Sequence, residues 1–243
     1  MKIKTIGTGK ILETYASAST LVDETILVDC GFGVVKNMVR FNVDFSKIRT
    51  ILITHLHADH FYNLPELFLR LKFLKEAKHI TVLVPEGGRE ALLLTMRYML
   101  NPGDDVEGFF REKFEIIEYK NGEEYQFSKY RVAPILVDHG MMKPAYGFVI
   151  SDGASVVGFS GDSTVCPGVD WIVEKASMVV LDTSTIDVRN IAHMGLDDVS
   201  GFARQYPEKK IVMTHTARVV KEKARELELS NLLAPEDGEE IEV

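Results

Sequence analysis

Residues 50–60 read T-I-L-I-T-H-L-H-A-D-H, an apolar strand that runs straight into His55, His57, Asp59 and His60. On extended backbone, residues i and i+2 point the same way, so His55 and His57 can reach one metal ion. Asp59 and His60 follow where the chain turns into a helix, and so face elsewhere. Neutral imidazole together with carboxylate suits a borderline cation such as Zn²⁺. Without a metal, four polar ligand-type side chains would crowd one strand end unpaired, which is costly in a buried setting. The stretch predicts a metal-binding turn from strand to helix.

Outward from this turn, short apolar, β-branched runs alternate with helical patterns along most of the chain. Strands are predicted over 2–7, 20–29, 50–54, 80–84, 114–119, 130–137, 145–151, 155–160, 177–182, 210–214 and 239–243. Helices are predicted over 33–42, 63–77, 86–100, 167–175, 196–206 and 217–228. The helix over 63–77 carries Pro65 in its first turn and sets Leu64, Leu67, Phe68, Leu71 and Leu74 on one stripe. The helix over 217–228 is charged on most faces and reads as a solvated surface element. Hairpin-like strand neighbours mixed with strand–helix alternation predict an α/β fold of two mixed sheets packed face to face, helices outside. No Pro/Gly/Ser-rich linker divides the chain, so 1–243 reads as a single domain. Asn101–Lys113 is the longest irregular segment and reads as a surface loop, with a lid or a dimer contact as the alternatives.

Composition agrees with a well-packed globular chain: 46% hydrophobic and 26% charged residues in 243 positions, enough to bury a large core. The net charge of −8 argues against a surface built to grip nucleic acid. Five acids crowd the last turn and strand (Glu236, Asp237, Glu239, Glu240 and Glu242), leaving the body closer to neutral. Cys30 and Cys166 are too few for a disulfide scaffold or a Cys-rich zinc module, and read as buried free thiols. The first ten residues lack an apolar leader core, and no apolar run reaches the ~18–20 residues of a bilayer span. A reducing cytoplasm and no membrane association are the expectations.

The run HLHADH at 55–60 resembles the H-x-H-x-D-H signature of the metallo-β-lactamase superfamily. The remaining pieces come in order. His139 ends the strand YRVAPILVDH, Asp162 lies in SGDS, and His215 follows KIVMTH, each just after an apolar run where a sheet edge presents it to a cleft. The opening IGTGK and VDCG and the closing APEDGEEIEV extend the resemblance through most of the chain. It implies the αββα four-layer sandwich and a dinuclear centre of divalent ions, Zn²⁺ first and Mn²⁺ or Fe²⁺ as alternatives. By that resemblance His55, His57 and His139 hold one ion, Asp59, His60 and His215 hold the other, and Asp162 bridges them. β-Lactam hydrolases of the superfamily commonly place Cys at the bridge; Cys166 lies four positions late, which argues against antibiotic hydrolysis.

His193, in NIAHMGLDD, falls between Asp162 and His215 as in the superfamily's phosphodiesterase branch, which includes ribonuclease Z and small cyclic-phosphate phosphodiesterases. There the matching His sits over the scissile phosphate rather than on a metal. The resemblance gives His193 the task of stabilising charge or protonating the leaving oxygen, and gives Asp182, in VLDTST, the task of orienting it. It further implies attack on phosphorus by a hydroxide shared between the metals, with Asp59 or Asp162 as proton acceptor. Arg189 and Lys143 lie nearby in sequence and read as ordinary surface charges.

Substrate size is read from an insertion. Ribonuclease Z carries its tRNA-gripping arm between the third metal His and the bridging Asp. Here His139 and Asp162 are separated by a turn and two predicted strands holding one basic residue, Lys143. Polyanion binding draws on many Lys and Arg contacts. A small phosphodiester, a cyclic nucleotide or cyclic sugar phosphate, is therefore the expected substrate. A tRNA 3′-processing endoribonuclease stands second, a lactone or thioester hydrolase third, and a non-enzymatic metal-binding module last. The GTG at Gly7–Gly9 has the look of a phosphate loop but reads as a turn. A homodimer is compatible with the sequence.

Overall fold

The computed structural model describes residues 1–73, 79–187 and 192–243. Leu74 and the rest of the predicted helix end, together with Arg189, lie outside the described residues. The first half of the chain runs β1 (Lys2–Gly7), β2 (Ser19–Val22), β3 (Ile26–Val28), α1 (Val34–Arg40), β4 (Thr50–Leu52), α2 (Ala58–Phe61), α3 (Leu64–Phe73), β5 (Ile80–Val84), α4 (Gly88–Met99), α5 (Val106–Arg111) and β6 (Phe114–Glu118). The second half runs β7 (Tyr125–Phe127), β8 (Tyr130–His139), β9 (Met142–Ser151), β10 (Val156–Phe159), α6 (Pro167–Lys175), β11 (Met178–Asp182), α7 (Leu196–Gln205), β12 (Lys210–Thr214), α8 (Arg218–Arg225), β13 (Leu232–Leu233) and β14 (Glu240–Glu242).

Two seven-stranded mixed sheets result, ordered β14-β1-β2-β3-β4-β5-β6 and β13-β12-β11-β10-β9-β8-β7. Period-2 alternation assigns each side chain to a layer. Leu52 joins Leu83, Phe148 and Val180 between the sheets, while its neighbours Ile51 and Ile53 pack outward against Leu64, Leu67 and Phe68 of α3. On the other sheet Val212 faces inward, and Ile211 and Met213 face the helices with Val199 and Val220. Helices thus cover both outer faces, giving the αββα sandwich. Among the described residues no helix is long and apolar enough to cross a membrane.

The expected elements differ from the observed ones at identifiable points. The run 20–29 is two strands, because Asp23 and Glu24 adopt left-handed φ of 44° and 58° and turn the chain; Asp23 is held there by the Lys2 amide and the Tyr130 hydroxyl. The segment 101–113 is not wholly irregular. Asp105 accepts from the Gly108 amide at 2.9 Å and caps α5, whose Phe110 ring packs edge-on to Phe68 at 5.4 Å. The helix read as a solvated surface element, α8, buries Val220, Ala224 and even Lys221. Cys30 is buried as expected, whereas Cys166 is half-buried at the start of α6.

Candidate metal centre

Strands β4, β8, β10, β11 and β12 deliver their carboxyl ends to one rim, the place where α/β sheets present ligand-binding residues. The two sheets are tied together there by the Tyr146 amide of β9, which donates to Thr54 O at 3.1 Å just beyond β4, and the Tyr119 hydroxyl, at the end of β6 in the same sheet as β4, braces that turn by donating to Ile53 O at 2.7 Å. His55 and His57 leave β4 on near-extended backbone, and α2 carries Asp59 and His60 in a single short turn. Gly31 is required beside it, since a Cβ at that position would overlap the Asp59 carbonyl. Gly161, at φ 59°, makes the turn that delivers Asp162.

Every sequence-predicted ligand converges. Asp162 is central, its Oδ2 lying 3.2 Å from His60 Nε2, 3.4 Å from His215 Nε2, and 3.8 Å from both His55 Nε2 and His139 Nε2. On one side His57 Nδ1 stands 3.1 Å from His139 Nε2; on the other Asp59 Oδ2 stands 3.2 Å from His215 Nε2. Among the described residues three sets follow, His55–His57–His139–Asp162, Asp59–His60–His215 and Asp162–Asp182–His193–His215, the last sharing a residue with each of the others, with ligand-type atoms within 4.8 Å of one another in each. This His/Asp cluster suits a metal site.

The outer hydrogen bonds fix which nitrogen faces inward. His60 Nδ1–H donates to Asp29 Oδ2 at 2.8 Å, and His139 Nδ1–H donates to Ala192 O at 2.7 Å. The Thr54 hydroxyl donates to Asp29 and so accepts from His55 Nδ1–H at 3.0 Å. The Ser184 hydroxyl donates to Asp182 Oδ1 and accepts from His215 Nδ1–H at 2.7 Å. Four imidazoles thereby turn their Nε2 lone pairs toward the cluster, the arrangement a cation needs. Two of those atoms, Nε2 of His55 and of His60, are buried without a hydrogen-bond partner. Such unpartnered buried ring nitrogens are costly, and a cation accounts for them.

Electrostatics point the same way. Burial pushes the His55 imidazole well below its ordinary range, with His60 adding to the effect. Burial opposes protonation of His60 and His215 too, but carboxylates outweigh it: Asp162 and Asp29 lift His60 well above its usual value, and Asp162 with Asp182 and Asp59 lifts His215 to about 10. Burial would raise Asp59 and Asp162, yet the facing imidazoles win, holding Asp59 at about 2 and Asp162 well below the carboxylate range. The carboxylates therefore stay ionised, and the protons that balance them on His60 and His215 are what a divalent cation displaces.

His193 stands beside the cluster. Its Nδ1 donates to Asp182 Oδ2 at 2.8 Å and lies 3.8 Å from Asp162 Oδ2, and its ring stacks on His215 at 5.1 Å. Burial favours the neutral ring, but the bond to Asp182 and that carboxylate's charge raise the pKa above its ordinary value. Asp182 is itself fully buried at the end of β11 and also accepts from the Ser163 amide. Lys143 is placed away from these groups, in a groove with Leu136, Pro144 and Cys166. Sequence reasoning did not single out Asp29, Thr54 or Ser184. Asp29 was visible only as part of VDCG, with left-handed φ of 59° at a strand end; His215 adopts a similar φ of 50°, so backbone strain gathers at this rim.

Over residues 1–235 the chain matches the family described as Anti-Pycsar protein Apyc1. The ribonuclease Z of Methanosarcina mazei is 25% identical, the alignment covering 88% of this chain and 87% of that protein. The metallo-β-lactamase-fold protein YhfI of Bacillus subtilis superposes with a TM-score of 0.79 at 16% identity, covering 99% of each chain. A diphosphatase of the PhnP family superposes with a TM-score of 0.78 at 17% identity, over 100% of this chain and 97% of that one. The architecture is the metallo-β-lactamase sandwich.

Proposed function

The chain belongs to the Anti-Pycsar protein Apyc1 family, and from that membership and the geometry of the rim we propose a metal-dependent phosphodiesterase that cleaves a small phosphodiester, a cyclic nucleotide or a cyclic sugar phosphate. His55, His57 and His139 would hold one divalent ion and Asp59, His60 and His215 a second, with Asp162 shared; nitrogen-rich sets of this kind favour zinc over magnesium or calcium. Bound there, such ions supply Lewis-acid polarisation of a phosphoryl oxygen and a source of hydroxide near neutral pH.

The observation that carries the reading is the Asp182–His193 pair. With Nδ1–H committed to Asp182, a protonated His193 presents Nε2–H outward, positioned to hand its proton to a departing alkoxide. Its raised pKa keeps that proton available near neutrality. Asp59, ionised above about 2, remains a proton acceptor throughout the working range. An ester or lactone hydrolase would not need this pair.

Small substrate size is supported by the link from His139 to Asp162, which consists of a tight turn, β9 and β10 and carries Lys143 as its one basic residue. A net charge of −8 also disfavours a long polyanion. The second reading, a tRNA 3′-processing endoribonuclease, is favoured by the similarity to ribonuclease Z over most of the chain. One screen tests both: zinc- or manganese-loaded protein against bis(p-nitrophenyl) phosphate, cyclic nucleotides, cyclic sugar phosphates, lactones, thioesters and 3′-extended tRNA precursor. Turnover of the small diesters without tRNA cutting is the expected result. Lactone or thioester turnover with no diester cleavage would overturn the reaction class, and clean precursor cutting at low enzyme would reverse the size argument.

A further inference from the structure

The loop after β1 places a cation at the same rim. Its base is pinned on several sides: Asp237 accepts from the Thr8 amide and hydroxyl at 2.9 and 2.8 Å and from the Ala16 amide at 2.9 Å, while Gly9 N donates to Ala16 O at 2.8 Å. Gly9 also pairs with Thr216, the residue after His215. Lys10 is the next residue, and its Nζ reaches across to Ser184 O at 3.1 Å. Ser184 in turn receives His215 Nδ1–H on its hydroxyl and donates its amide to Met194 O, the residue after His193. Lys10 is thus tied on one side to the strand end bearing His215 and on the other to the base of the loop bearing His193.

What the ammonium meets there is neutral. Among the described residues, the Ser184 carbonyl is its only polar partner, and no carboxylate pairs with it. Lys221, by contrast, is buried and bonded to Thr8 Oγ1, Pro235 O and Glu236, so it has no capacity to spare. A cation parked on a carbonyl at the edge of an anion-processing site gains when a charged oxygen replaces that carbonyl, since charge-assisted bonds are roughly twice as strong as neutral ones. The pinned loop base means little ordering is required at the moment of binding.

We infer that Lys10 is a substrate-binding residue whose ammonium takes a non-bridging oxygen of the phosphodiester, an inference that rests on the phosphodiesterase reading above. Lys10→Gln and Lys10→Arg both keep a donor for the Ser184 carbonyl, so neither removes the tie between the loops, and only the first removes the charge. With bis(p-nitrophenyl) phosphate as substrate and inorganic phosphate as competitor, Lys10→Gln should raise KM and the phosphate inhibition constant about tenfold, leave kcat within about threefold, and leave metal content and melting temperature unchanged. Lys10→Arg should restore most of the loss. Unchanged KM and inhibition constant in Lys10→Gln would overturn the assignment while leaving the reaction class intact. Parallel loss of kcat and bound metal would overturn it in favour of a purely structural tie. A wild-type protein that turns over no phosphodiester would bring down the reaction class, and this residue's role with it.

Discussion

Asp29→Asn isolates what the outer hydrogen bonds contribute to a candidate metal site. Asp29 Oδ1 accepts from the Thr54 amide at 2.8 Å, Oδ2 accepts from His60 Nδ1–H at 2.8 Å, and the Thr54 hydroxyl bonds to both oxygens. An Asn of the same shape must turn its NH₂ toward one of these donors. The backbone amide of Thr54 cannot give up its proton, but His60 can change tautomer, so the NH₂ goes to the imidazole side. His60 then carries its proton on Nε2, aimed at Asp162 Oδ2 3.2 Å away, where a lone pair is needed. Without metal this arrangement is satisfied, and the fold should lose little stability. With metal the His60 position is lost. Removing an orienting partner of this kind costs 10–100-fold in affinity, or about 1.4–2.7 kcal/mol. Elemental analysis after dialysis against a weak chelator should give about one ion per chain for Asp29→Asn against two for wild type, with melting temperatures of the stripped proteins nearly equal. Full retention of both ions at wild-type affinity would refute the tautomer argument.

Three further expectations use other parts of the rim. His193→Ala should lower kcat on a small diester about 10²–10⁴-fold with metal content unchanged; loss of metal instead would make His193 a ligand. Protein stripped with EDTA should lose stability from pH 7 toward 10, because a pKa raised on folding contributes fully below the ordinary ~6.5 and is lost as pH climbs through the folded value, about 10 for His215. Asp59, lowered to about 2, acts in the opposite sense and loses its contribution only on acidification, so a melting temperature that rises across the alkaline window contradicts the charge pattern. Gly31→Ala should destabilise the fold by about 3 kcal/mol or more in urea titrations, since the added methyl meets the Asp59 backbone rather than a flexible side chain.

How much of this was legible in the sequence depends on how local each signal is. The strand–HLHADH junction is a local pattern: apolar alternation sets β4, and spacing sets which imidazoles share a side. The helix α5 was not legible, because Asn101, Pro102 and Gly103 mark a turn and Gly108 weakens helix propensity. Its order comes from a cap at Asp105 and from Phe110 meeting Phe68 and Phe114, contacts made only in the fold. The strand β7 is a three-residue edge strand, too short to show alternation. Asp29 and Ser184 escaped for the same reason as each other: the imidazoles they orient, His60 and His215, each lie 31 positions away. An orienting residue has no pattern of its own, only a partner.

That partnership has a mechanistic consequence at Asp182. Its Oδ2 holds His193, while its Oδ1 holds Ser184, which fixes His215, a residue of the candidate metal cluster. One buried carboxylate therefore sets the orientation of both the proposed proton donor and a candidate ligand. Asp182→Asn would force the same donor–donor conflict described for Asp29: Oδ2 also accepts from the Ser163 backbone amide, which cannot give up its proton, so the NH₂ goes to the Ser184 side, turns that hydroxyl to donate to His215 Nδ1 and moves the His215 proton onto Nε2. The expected result is therefore a loss of metal, while a loss of kcat with metal content unchanged would mean that the NH₂ had turned toward His193 and would refute the backbone-amide argument. Loss of neither would mean that Asp182 serves only to satisfy the Ser163 amide and the buried end of β11.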